Sequence, residues 1–142
     1  LAFGFQGVNR PLPKYAMNNH PIVLLSHHAS EIVVMGEPVR VDTRGTPSQF
    51  THTIQIKTSG FVGRVAVEAS LMPEPTDDDW FALDLSGLPY LECIQPTSKS
   101  FGFTIQGRYL WIRAKVDRSR WISFETQSVN EAFGFVDRVL FK

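Results

Sequence analysis

Strict alternation of apolar and polar residues over three long windows is the feature that most constrains this chain. Phe50-Thr51-His52-Thr53-Ile54-Gln55-Ile56-Lys57 puts Phe50, His52, Ile54 and Ile56 on one side. In Val62–Leu71, Val65, Val67, Ala69 and Leu71 oppose Arg64, Ala66, Glu68 and Ser70. In Tyr109–Asp117, Leu110, Ile112, Ala114 and Val116 oppose Trp111, Arg113 and Lys115. A period of two is the signature of a half-buried strand, because successive side chains leave opposite faces of a pleated backbone. No window carries the three-four apolar spacing over the dozen residues that a stable helix needs; Val129–Val136 comes nearest and is broken by Gly134.

Shorter extended runs fill the rest. Ile22–Leu25, Glu31–Met35, Val39–Asp42, Trp80–Leu83, Tyr90–Ile94, Phe101–Gln106, Trp121–Thr126 and Phe135–Phe141 are bounded by glycine, proline and serine. Pro96 is expected to end the Tyr90 strand, and Gly107 to turn a hairpin between Phe101–Gln106 and Tyr109–Asp117. Short strands at such spacing predict an all-β chain, an antiparallel two-sheet β-sandwich of jelly-roll or immunoglobulin-like winding. A chain of 142 residues suits one such domain, here residues 21–142. Residues 1–20 read differently: Gly4, Gly7, Pro11, Pro13 and Asn18-Asn19 are loop-forming, yet Leu1, Phe3, Phe5, Val8, Leu12 and Tyr15 are apolar. This is an extended N-terminal arm, folded back on its own core or lying on a neighbouring subunit.

Charge and motif content exclude several classes. Fourteen basic residues balance fourteen acidic ones. That balance argues against a nucleic-acid partner, which needs excess Lys and Arg to displace counterions, and against a polybasic membrane contact. Copies of a neutral chain repel each other weakly, which suits an assembly. No apolar run approaches the roughly 20 residues of a membrane span, and Leu1–Gly7 lacks the basic start of a secretion signal. Cys93 is the single cysteine, so it can form neither an intrachain disulfide nor a multi-thiolate metal site, and it reads as a small buried hydrophobe.

No catalytic motif stands out: there is no nucleophile elbow, phosphate loop or dinucleotide fingerprint. Paired carboxylates distant in sequence, as a hydrolase could use, have nothing in their favour. His20, His27, His28 and His52 show no chelating spacing, and His52 shares an apolar face with Ile54. Asp77-Asp78-Asp79 could offer oxygens to calcium, but it lacks the EF-hand pattern and reads as a solvated acidic loop. No metal and no cofactor is expected. The aromatics are more suggestive. Tyr109, Trp111 and Trp121 could stack on sugar rings, with Trp111 beside Arg113 on a face less core-like than its opposite; Trp80 is expected as a core anchor closing one end of the sandwich.

Two stretches carry a resemblance. They are Gly63-Arg64-Val65-Ala66-Val67-Glu68-Ala69-Ser70-Leu71 with Pro73 and Asp79-Trp80-Phe81, and Phe103-Thr104-Ile105-Gln106-Gly107-Arg108-Tyr109-Leu110-Trp111-Ile112-Arg113-Ala114-Lys115-Val116. Together, over about residues 60–117, they resemble small β-sandwich virion structural proteins of tailed bacteriophages, of the cyanophage type. The resemblance implies a non-enzymatic virion component on the head, neck or tail, as a capsid decoration or cement protein or an accessory tail protein. Its implied partners are copies of itself, a trimer being one closed ring, and other virion proteins such as the major capsid protein. Phe3, Phe5 and Tyr15 are then the expected subunit-interface residues. The alternative is a carbohydrate-binding jelly-roll module used in host attachment, stacking sugars on Tyr109, Trp111 and Trp121.

Overall fold

Alternation becomes burial along the long strands. The structure, a computed structural model, describes residues 20–27, 31–41, 50–121 and 134–142. Ten strands follow in order: β1 (Ile22–Leu25), β2 (Val33–Met35), β3 (Val39–Arg40), β4 (Thr51–Ser59), β5 (Phe61–Ser70), β6 (Phe81–Ala82), β7 (Leu91–Thr97), β8 (Ser100–Gln106), β9 (Trp111–Asp117) and β10 (Phe135–Phe141). In β4 the buried residues are His52, Ile54, Ile56 and Thr58; in β9 they are Ile112, Ala114 and Val116. β5 buries Val65, Val67 and Ala69 and turns Arg64, Ala66 and Glu68 outward. β5 breaks the period at its start, where Phe61, Val62 and Gly63 are buried in succession beside a register shift, and two more strands do so. β1 buries the adjacent Leu24 and Leu25, and β10 buries Val136 and Val139, because each carries a register shift there that returns a second apolar side chain to the core.

All pairings are antiparallel. The first sheet runs β1-β10-β4-β8, and the second runs β2-β9-β5-β6, with β3 also on β9 and β7 also on β5. β2 and β3 are one line of strand interrupted at Gly36–Pro38: both pair with β9, and the Gly36 N–H donates to the Ala114 carbonyl between them. β6 and β7 likewise lie end to end along β5. Counting each interrupted line once gives eight lines, in the orders 1-8-3-6 and 2-7-4-5. That nested winding is a jelly roll, and it excludes the immunoglobulin-like alternative. The two inner faces meet in one core, with Ile54, Ile56, Val139 and Phe141 from the first sheet and Val65, Val67, Ile112 and Ala114 from the second. Each fully buried large aliphatic there contributes roughly 1.5–3 kcal/mol.

The chain crosses between sheets at both ends of the sandwich. At one end, Ser59-Gly60 leads β4 into β5, and the Thr58 hydroxyl donates to the Thr97 carbonyl (2.8 Å) where β7 turns toward β8. Gly134 closes that end: a Cβ there would strike the Ser59 carbonyl, and its φ of 62° favours glycine. Its own carbonyl accepts from buried Arg118 (Nη1, 2.6 Å).

Several sequence expectations are corrected. Gly107 turns no hairpin, because β8 and β9 lie in different sheets; it carries the chain across, its N–H donating to the Phe50 carbonyl (2.8 Å). Pro96 does not end its strand. It sits inside β7, where the register against β5 shifts between Phe61 and Gly63 and no ladder bond is demanded of it. Trp121 starts no strand but closes a 3-10 turn, Ser119–Trp121; residues 122–126 lie outside the described residues. Leu71 is one residue past β5 and is 59% exposed. The arm, with Phe3, Phe5 and Tyr15, lies outside the described residues except for His20.

Candidate functional site

The outer face of the second sheet carries the densest set of ordered polar and aromatic side chains among the described residues. β9 turns Trp111, Arg113 and Lys115 outward, and β5 sets Ser70, Glu68 and Ala66 opposite them. Directly paired residues on one face have Cβ atoms about 5 Å apart, so Arg113 and Glu68 are placed to meet. Arg113 Nε donates to Glu68 Oε1 at 2.8 Å, with both side chains mostly buried. The Arg113 guanidinium also lies 4.1 Å from the Trp80 ring centre. Trp111 is fixed on two sides: its indole N–H donates to the Pro73 carbonyl (3.1 Å), and Arg40, its partner on β3, stands 5.5 Å from its ring.

The loop between β5 and β6 brings Trp80 to this face. Its 3-10 turn, Asp77–Asp79, is capped by Thr76, whose N–H donates to Asp79 Oδ2 (2.7 Å), as does its hydroxyl (3.0 Å). Asp79 is thus a capping residue, and Asp77 faces an open cleft of about 350 Å³ lined with Pro38, Pro75, Trp80, Trp111 and Arg113. Among the described residues no three His, Cys, Asp or Glu side chains converge as a metal site. Two indoles, a guanidinium and a carboxylate around an open apolar floor suit a flat ligand with C–H groups on its face and hydroxyls at its rim.

A second brace lies toward the far end of the same face. Arg64 Nε donates to Glu92 Oε1 (2.7 Å), and its guanidinium sits 4.2 Å over Tyr90. The Glu92 hydrogen bond raises the Arg64 pKa, so this cation stays charged. Burial pushes the Asp117 carboxyl up, but hydrogen bonds from Ser119 and the charges of Lys115 and Arg64 outweigh it and hold the group below its ordinary value.

The three proposed stacking residues are not brought together. Tyr109 is 7% exposed and packs toward His52 and Phe81; its hydroxyl donates to the Gln106 carbonyl (3.0 Å). Trp111 is the first residue of β9 and Trp121 lies past its last, so a strand of seven residues, roughly 20 Å at the usual rise, separates them. The aromatic beside Trp111 is Trp80, which is half-buried on the outer face rather than a core anchor. Nothing in the sequence pattern pairs a loop residue with a strand residue so far along the chain. His52 is a core residue: it stacks on Phe141 (4.7 Å between ring centres), Nε2–H donates to the Gly107 carbonyl (3.1 Å), and burial lowers its pKa. Cys93 is buried, which raises its thiol pKa and keeps it protonated. No protein-family model, curated protein or solved structure matches the chain.

Proposed function

We propose that this chain is a non-enzymatic structural subunit of a bacteriophage particle, a capsid decoration or cement protein or an accessory tail protein that works as an oligomer. The observation that carries the reading is the jelly-roll order of the strands, a winding shared by viral capsid and lectin domains. It is joined by the resemblance of residues 60–117 to small virion proteins of tailed phages. This is an argument from likeness of fold and motif, and the site itself has to supply the rest. Zero net charge supports close packing of copies. Phe3, Phe5 and Tyr15 carry contacts between subunits, and the partners are further copies of the chain and the major capsid protein. The native mass of the purified full chain, by size exclusion with light scattering, tests this. A closed ring such as a trimer is expected; a monomer at tens of micromolar that also fails to bind phage particles overturns it.

A second reading has its own observation. The cleft between Trp80 and Trp111, with Asp77 and Arg113 at its rim, supports a carbohydrate-binding module for host attachment. Ring-face stacking and a few convergent polar groups are what a pyranose needs. A glycan array is expected to give signal that Trp111→Ala abolishes; a blank array removes the reading.

A further inference from the structure

β8 is a sheet edge without the usual protection. Its odd-numbered residues turn their backbone groups toward β4, as the Gly107 N–H bond to Phe50 and the Lys99 carbonyl bond from Thr58 fix at its two ends. The N–H and C=O groups of Gly102 and Thr104 therefore point away from the sheet, with no strand beside them among the described residues. Natural edges are blunted by charge, proline, bulges or brevity. β1 is four residues long with a register shift. The β2–β3 line is broken at Gly36–Pro38, and the β6–β7 line is broken between its two strands and carries Pro96. β8, Ser100-Phe101-Gly102-Phe103-Thr104-Ile105-Gln106, has no charge, no proline and an unbroken register over seven residues. A Cβ added at Gly102 would meet nothing within 4 Å.

Beside this edge lies a cleft of about 510 Å³, between β8 and the β6 line. Its lining is mixed: Phe81, Leu83, Ile105 and Tyr109 form apolar walls, with Phe81 44% exposed, and Asp84, Thr104 and Gln106 add polar groups. A strand laid along β8 would satisfy the outward amides and send alternate side chains into the cleft, which is strand addition. The occupant needs large apolar groups at positions two apart and small or polar ones between. Ala2-Phe3-Gly4-Phe5-Gln6-Gly7 has that pattern, and it parallels Phe101-Gly102-Phe103 within β8 itself.

We infer that residues 2–7 of a second copy add as a strand to β8, with Phe3 and Phe5 in the cleft beside Phe81. This rests on the assembly reading above and names its acceptor. A second copy is favoured over the chain's own arm because the chain enters the fold at β1, on the far edge of the sheet from β8. The linking segment carries Pro11 and Pro13, and proline fixes its own φ. The outer face it would cross is apolar only at its start, where Val23 pairs with Leu140, and is polar beyond, where β4 presents Thr53, Gln55 and Lys57.

The test uses the full chain. Gly4→Cys with Thr104→Cys, under mild oxidation, is expected to give an interchain disulfide at least tenfold above the yield of Gly4→Cys with Thr53→Cys. Gly102→Pro removes an N–H that faces away from β4, and Phe3→Ser with Phe5→Ser leaves the sandwich untouched. Either is expected to abolish the link and lower the native mass with the circular dichroism unchanged. Oligomers that persist without a link above control overturn the acceptor and leave the assembly reading standing. An intrachain link in a monomer overturns both.

Discussion

The two sheets present equivalent inner faces and very different outer ones. Inside, β4 and β9 each contribute isoleucines with no exposed surface, Ile54 and Ile112. Outside, β4 and β8 of the first sheet set Thr53 against Thr104 and Gln55 against Gly102, with one long contact from Gln55 to Ser100 (3.5 Å). The second sheet instead braces its surface with Arg113–Glu68 and Arg64–Glu92, each arginine also over an aromatic ring. Among the described residues the first sheet carries no such arginine–glutamate pair, so its half of the core packs without that bracing. The bracing fixes the rotamers of Trp80 and Tyr90, as the Pro73 carbonyl and Arg40 fix Trp111, and a surface with fixed rotamers loses less entropy when something binds.

The comparison can be broken most severely from the inside. Ile54→Ala and Ile112→Ala should each cost about 2–5 kcal/mol in urea unfolding, and clearly unequal losses would refute the equivalence of the inner faces. Arg113→Ala should cost about 1–2 kcal/mol, because it removes a largely buried ion pair and the stacking on Trp80; an unshifted urea midpoint and unchanged tryptophan emission would contradict the bracing. The sheets should also part on pH. His52, in the first, has its pKa lowered below the ordinary 6.5 by burial. Its stabilisation is whole above that pH and falls as pH drops below it, since the unfolded chain then takes up more protons. Asp117, in the second, is held below its ordinary 3.8, so its contribution is kept until much more acid conditions. His52→Phe should flatten the stability slope below pH 6.5, and a slope that persists would place its source elsewhere. Smallest of all, Gln55→Ala on the unbraced face should stay within about 0.5 kcal/mol of the parent.

Alternation made the faces of β4, β5 and β9 legible, because each strand touches the core on one side only. It could not show neighbours. Gly107 has hairpin chemistry, but the partners of β8 and β9 were decided by distant strands, β4 and β5. Trp80 looked like a core anchor from its place before a strand; the capped turn at Thr76 and the cation on Arg113 brought it outside. Pro96 looked like a stop, and a local register shift absorbed it. The sequence leaves the winding open between two options, since strand order is a property of pairs and no single window holds it.

The nested pairing also implies an order of assembly in time. Ala69 pairs with Phe81, Lys57 with Ser100, Met35 with Lys115 and Leu25 with Val139, each ladder enclosing the one before. A pair formed inside shortens the loop that the next must close, so its entropic cost falls as the chain zips outward. β1 is made early and must wait for β10, the strand it pairs with among the described residues. Until then its apolar leucines are exposed on the nascent chain, which makes this outermost pair the last to close and leaves β1 open to aggregation until it does.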